Sequence, residues 1–274
     1  MINLIPKQTL NQLQLQIYEP CVQLTPWVQC FWSLHNPLEP NCYKEKFYPD
    51  GGTSLTITLS YPEPQIHLTF NMRTCEKIVD NRHPIISARF KPAGLFSLLR
   101  LSGLPITGQF LQLRLGQDIT PTWYFSLRQL VETMPVMNQG QCIMMLQEWL
   151  LVQQQMSQLT DNHTARLIDM VQKSTGSLNE LVKQIGLTQR TLERRFKHET
   201  GFSPQELVTL GRIRRARQLL CCSQWNLAEI AMQCGYFDQA HFTHGFKKMV
   251  SETPLAYRKR KLSQIYNIQP EFET

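Results

Sequence analysis

The 274-residue chain is 42% hydrophobic and 18% charged, a composition that excludes disorder along its whole length and leaves room for two domains. No apolar run reaches the roughly 18–20 residues of a membrane span. The opening MINLIPKQTLNQLQLQ lacks the basic and apolar regions of a secretory leader, so a cytoplasmic location is expected. The net charge of +7 is uneven: residues 161–262 hold 17 basic and 9 acidic side chains, against 11 and 10 in residues 1–160. A basic segment beside a neutral one points to a polyanionic partner, although a solvated basic face has the same composition. The eight cysteines include no C-x-x-C and read as reduced, mostly buried thiols.

The first 135 residues carry 13 of the 16 prolines, set between short apolar runs. Candidate strands lie at 28–35, 54–60, 65–70 and 85–90. Leu55, Ile57 and Leu59 alternate with Thr56 and Thr58, the two-residue period of a half-buried strand. Pro49-Asp50-Gly51-Gly52 is turn chemistry, and Pro62 and Pro64 end one strand so that the next can return beside it. Short strands with frequent turns predict a β-sandwich or barrel. Asp50 with Tyr48, Trp32 and Lys46 reads either as a plain turn or as a pocket lining. Helical patterns follow at 122–134 and 141–158; the second fits a core helix or a dimerising one. The polar stretch 153–162 marks the expected domain boundary.

Beyond residue 175 the sequence repeats itself. When 178–204 is set beside 227–254, Leu178 meets Leu227, Glu180 meets Glu229 and Gly186 meets Gly235. After one extra residue in the second copy, Phe237, Gln189 meets Gln239, Leu192 meets Phe242, Phe196-Lys197 meet Phe246-Lys247 and Ser203-Pro204 meet Thr253-Pro254. Each copy reads as helix, turn, helix. Leu178, Leu181, Val182 and Ile185 form the apolar stripe of the first; Leu227, Ile230, Ala231 and Cys234 form that of the second. Gly186 and Gly235 stand where a left-handed backbone ends a helix. Thr188 and Asp238 are the expected caps of the second helices.

With Leu192 and Phe196 inside, Gln189, Arg190, Glu193, Arg194 and Lys197 face outward. A helix of an ordinary bundle can also show such a face, but the excess of basic residues over 161–262 agrees with phosphate neutralisation by a helix lying in a DNA major groove. Between the copies, 204–222 predicts a helix with the stripe Leu207, Leu210, Ile213 and Leu220, ringed by Arg212, Arg214, Arg215 and Arg217. Its length, roughly 27 Å, suits a spacer holding two recognition helices about one DNA turn apart.

These residues resemble the DNA-binding domain of the AraC/XylS family of bacterial transcriptional regulators, over about 162–261. The resemblance rests on Leu192-x-Arg194-x-Phe196-Lys197, Thr200-Gly201-Phe202-Ser203-Pro204, Arg212-Ile213-x-x-Ala216-x-x-Leu219-Leu220, Glu229-Ile230-Ala231-x-x-Cys234-Gly235-Tyr236, His241-Phe242-x-x-x-Phe246-Lys247-Lys248 and Thr253-Pro254-x-x-Tyr257-Arg258. It implies base-reading roles for Arg190, Glu193 and Arg194 in one copy and for Gln239, Ala240, His241, Thr243 and His244 in the other. Thr188, Lys197, Lys247 and Lys248 become the expected phosphate contacts. His244 stands where the family usually has Arg, and Ser251 where it usually has Gly. Trp27 to Trp32, Tyr48 to Gly52 and Phe90 to Leu95 resemble the β-rich sensor or dimerisation region of such regulators.

The expected fold is therefore α+β: a β-rich barrel or sandwich with helices over 1–158, an all-α double helix-turn-helix domain over 162–262, and a tail at 263–274. The units are expected at 178–200 and 227–249, with the linker helix at 204–222. The resemblance implies a sequence-specific regulator of transcription, activating or repressing, acting on double-stranded promoter DNA, with RNA polymerase as a partner and control by a small-molecule effector or by homodimerisation. No cofactor, metal, membrane partner or enzyme activity is expected; there is no Gly-rich phosphate loop and no G-x-S-x-G. The rival readings are a structural DNA-binding protein without effector control and a DNA-repair regulator with a reactive cysteine. The N-terminal cysteines, Cys21, Cys30, Cys42 and Cys75, are too widely spaced to favour the second.

Overall fold

The computed structural model describes residues 4–5, 15–34, 42–60, 62–70, 74–80, 82–102, 110–113, 122–157, 167–168, 170 and 188–266. The expected first helix of the first repeat copy lies outside these residues; of the expected boundary stretch 153–162, residues 153–156 continue a helix and 158–162 lie outside.

The strands are β1 (Leu4–Ile5), β2 (Gln16–Tyr18), β3 (Val28–Leu34), β4 (Cys42–Phe47), β5 (Thr53–Thr58), β6 (Gln65–Phe70), β7 (Cys75–Asp80), β8 (Ile85–Phe90) and β9 (Phe110–Leu113). Seven form an antiparallel sheet in the order β1-β2-β3-β8-β5-β6-β9; β4 and β7 form a separate two-stranded ladder. The expected return after Pro62 and Pro64 is the β5–β6 pairing, with Leu55 opposite Leu68. Period-two alternation gives the sheet two unlike faces. Phe31, Ala88, Leu55 and Leu68 stand in one cross-strand row and are buried in the core. The neighbouring row holds Trp32, Ser87, Thr56 and His67, where the Thr56 and Ser87 hydroxyls lie 3.0 Å apart.

The helices are α1 (Gly94–Leu99), α2 (Trp123–Thr133), α3 (Gln139–Met156), α4 (Gln189–Thr200), α5 (Pro204–Cys222), α6 (Leu227–Gln233), α7 (Gln239–Val250) and α8 (Pro254–Tyr266). Asn138 opens α3 with a capping box to Gln141, and the helix lies on the sheet's apolar side, against β3 and β8. It buries Cys142, Ile143, Leu146, Trp149 and Leu150, the core-helix alternative. Among the described residues no helix is long and apolar enough to cross a membrane.

The three N-terminal motif segments converge on one another. Lys91 N donates to Trp27 O at 2.8 Å. A Cβ on Gly94 would collide with Trp27 O, and one on Gly52 with Phe90 O. Asp50 accepts from Gly52 N and pairs with Arg89, which also donates to Ser54 Oγ. This turn faces the linker helix: Gly51, at φ +80°, sits over Leu207 and Leu210 of α5.

The core reflects that docking. One hydrophobic cluster runs from the sheet and α1–α3 into Leu192, Phe196, Phe202, Leu207, Val208 and Leu210 of the first helix-turn-helix region. A second cluster, from Ile213 to Tyr257, belongs to α5–α8. The helix α8 continues past residue 262, so 263–266 extend a packed helix.

Candidate nucleic-acid interface

The two helices expected to read DNA are built alike. Thr188 caps α4 by accepting from Thr191 N, and Asp238 caps α7 by accepting from His241 N at 2.7 Å. Each helix buries two large side chains four residues apart, Leu192 with Phe196 and Phe242 with Phe246. The burial turns the remaining edge outward. On α4, Gln189, Arg190, Glu193, Arg194 and Lys197 are exposed; on α7, Gln239, Ala240, His241, His244, Lys247 and Lys248 are exposed and Thr243 is half-buried.

Several of these groups have local partners. Gln189 Nε2 donates to Glu193 Oε1 at 3.0 Å, which orients that carboxylate along the helix. Lys197 lies 3.8 Å from Glu206, the acidic half of the capping box that opens α5. Burial would raise the Glu206 carboxyl, but hydrogen bonds from Ser203 and the Lys197 charge hold it below the ordinary value. The His241 ring meets Tyr236 edge-on at 5.3 Å. A shallow open depression runs along α7, lined by Gln239, Ala240, Thr243, His244, Lys247 and Thr253.

The second unit is complete. Asn226 and Glu229 form a capping box for α6, and Ile230 and Ala231 are buried. Gly235 at φ +73° makes the turn, and Tyr236 plugs the space beneath α7. Burial pushes the Tyr236 hydroxyl up to about 12. The linker helix α5 has 19 residues, about 28 Å at 1.5 Å each. Leu207, Leu210, Ile213 and Leu220 are buried as expected, but its arginines divide. Arg214 and Arg215 are exposed, whereas the Arg217 guanidinium lies 3.9 Å from the centroid of Tyr48 and donates to Tyr257. The terminal Tyr-Arg motif also braces the fold. Arg258 donates to Leu220 O and Trp225 O, satisfying carbonyls at and beyond the end of α5.

The sequence reading missed the contact between each recognition helix and the N-terminal region. The turn after α4 places Phe202 4.9 Å from Phe70 of β6. The turn after α7 places Glu252 at the equivalent position, where it accepts from Tyr48 Oη at 3.1 Å and Arg260 Nη2 at 2.7 Å and lies 3.4 Å from Lys46. Thr74 Oγ1 also donates to Met249 O. Tyr48 and Lys46 thus turn toward the second unit, and Asp50 toward Arg89. Burial would raise the Glu252 carboxyl, but Arg260, Lys46 and the Tyr48 hydroxyl together hold it below its ordinary value. The available signal was the repeat's own mismatch: Phe202 and Glu252 are unlike residues at one matched position.

Cys30, one of the four N-terminal cysteines of the repair reading, is a half-buried thiol pushed up to about 11 by burial, with Arg89 opposing and Asp50 reinforcing the rise. Among the described residues no three His, Cys, Asp or Glu side chains are grouped to hold a metal ion.

A complete helix-turn-helix unit and the second helix of its repeat copy, joined by the 19-residue helix α5 and each with a polar outer edge, fit a bipartite DNA-binding domain. Residues 181–260 match the family described as helix-turn-helix domain, and residues 16–112 match a domain of unknown function, DUF6597. The HTH-type transcriptional activator RhaS of Yersinia pestis bv. Antiqua (strain Angola) is 32% identical over 115 residues, 41% of this chain and 42% of that one. RhaS of Yersinia pseudotuberculosis serotype O:1b (strain IP 31758) is 38% identical over 81 residues, 30% of each. The chain thus spans less than half the length of these relatives. The DNA-binding domain of AdpA in complex with a target DNA aligns at 24% identity over 37% of this chain and 90% of that one, with a TM-score of 0.33. ToxT from Vibrio cholerae aligns at 12% identity over 81% and 97%, with a TM-score of 0.41. Over its C-terminal region the chain is thus similar to a helix-turn-helix domain and to the HTH-type activators of this kind.

Proposed function

We propose that this protein is a sequence-specific regulator of transcription that sets α4 and α7 into successive major grooves of promoter DNA. The observation that carries the reading is the shared construction of the two helices, large apolar residues inward and a polar edge outward, on either side of one 19-residue helix. Arg190, Glu193 and Arg194 on α4 and Gln239, Ala240, His241, Thr243 and His244 on α7 face the bases, Arg suited to guanine and Gln to adenine. Lys197, Lys247 and Lys248 neutralise phosphates and set register. No catalytic step and no cofactor enter this function, and RNA polymerase is the partner recruited at the promoter.

The N-terminal domain supplies control. Its contacts at Phe202 and Glu252 reach both units, so an effector or a second chain acting on it alters how the two helices are presented together. Binding of the full chain to a promoter fragment and to random duplex, each over a salt series, tests the reading. Both affinities fall as salt rises, because counterions are released from phosphates; the promoter fragment stays tighter by roughly 10³-fold or more. Equal affinity for the two duplexes at every salt would make the protein a structural DNA binder instead.

A further inference from the structure

The two recognition edges carry different chemistry at matched positions. Where α4 has Arg190, Glu193 and Arg194, α7 has Ala240, Thr243 and His244. Each charged side chain at a base-facing place of the first unit is replaced in the second by an alanine, a threonine or an imidazole. The depression along α7 opens over Ala240 and Thr243. The second copy also carries Phe237, which has no counterpart in the first. It is 91% exposed, stands directly before the Asp238 cap and therefore lies at the end of α7 that enters a groove.

The major-groove edges of the base pairs sort these side chains. Guanine offers two acceptors that suit a guanidinium; the thymine methyl suits Ala, Phe or a Thr methyl; adenine suits Gln. Resting on the DNA-binding function proposed above, we infer that the target is directional: α4 reads a block specified by guanine, and α7 reads an A·T block, Gln239 on adenine and Phe237, Ala240 and Thr243 on thymine methyls. Phe237 is then a specificity-determining residue outside the helix itself. Its exposure has a reason, since an apolar side chain left in water gains only when DNA covers it.

The test uses the full chain and pools of random duplex. Selection should yield two blocks about one helical turn apart, guanine fixed in one and A·T pairs in the other. In a selected duplex, replacing thymine by deoxyuridine within the A·T block should weaken binding about fourfold per contacted methyl, the worth of one buried methylene. The same replacement in the guanine block should change nothing. In F237A, whose site touches no core, one of those uracil effects should vanish while the others remain. A second block fixed by G·C pairs, or indifference to uracil throughout it, would overturn the inference and leave the DNA-binding function standing. Equal weakening of F237A on thymine and uracil duplexes would make Phe237 a sugar-phosphate contact and overturn its role. Selection that enriches no sequence at all would refute the function itself.

Discussion

Ser251 ends α7 in a left-handed conformation, φ 63°, at the position matched in the first unit by Gly201, φ 78°. A Cβ in that region costs roughly 1–2 kcal/mol, because it crowds the following carbonyl. Glycine would remove that cost and add roughly 0.5–1 kcal/mol of unfolded-state entropy. Ser251 is exposed and its backbone N–H already donates to Lys247 O, so no other contact changes. Ser251→Gly should therefore stabilise the chain by about 0.5–1 kcal/mol, a rise in Tm of about 1–4 °C for a protein of this size. Gly201→Ser should act in the opposite direction by at least as much. Scanning calorimetry or thermal unfolding followed by circular dichroism on the full chain reads both. A drop in Tm for Ser251→Gly, or no loss for Gly201→Ser, would refute the claim that the two turns share one strained geometry.

Arg194→Ala should cost about 1–3 kcal/mol on a specific site and relax preference at one base pair, measured by titration against a panel of single-base variants; equal losses on random DNA would make Arg194 a phosphate contact. Lys247→Ala should weaken binding to all duplexes alike and lower the slope of log affinity against log salt by about 1. Because the Glu252 carboxyl is held low, its contribution is complete above the ordinary value of 4.5 and is lost as pH falls through the depressed native value. Thermal unfolding should thus show Glu252→Gln destabilised by about 1–2 kcal/mol at neutral pH, with its gap from the wild type closing below pH 4.5; a gap independent of pH would remove the carboxylate from the contact. Gly52→Ala should lower stability by about 1–3 kcal/mol, since its Cβ would strike the Phe90 carbonyl; an unchanged Tm would contradict that close approach.

The C-terminal half was legible because local signals there agree. The Leu192/Phe196 and Phe242/Phe246 spacing, the caps Thr188 and Asp238, and the stop at Gly235 each depend on neighbours within one turn of helix. The β-rich half yielded its central strands, where Leu55 and Ile57 alternate with Thr56, but not β1, β2, β4, β7 or β9. Lys44, Glu45 and Lys46 in β4, and Glu76 and Lys77 in β7, carry no apolar alternation; these strands are defined by pairing with each other. The helix α1 escaped notice because it is only six residues long and starts and ends on the left-handed residues Ala93 and Arg100. The contacts at Phe202 and Glu252 join residues more than a hundred positions apart, and no periodicity encodes them. The same holds for Tyr48: its position before a turn was visible, but its bond to Glu252 204 residues away was not.

The central claim is that one chain lays both α4 and α7 on a single duplex. Hydroxyl-radical footprinting with phosphate-ethylation interference on a selected site tests it most directly. The account predicts two interference patches about 10–10.5 base pairs apart on one face of the helix, with the patch nearer α7 lost in a Gln239→Ala, His244→Ala double variant. A single patch of one groove's width, unchanged in that variant, would contradict it.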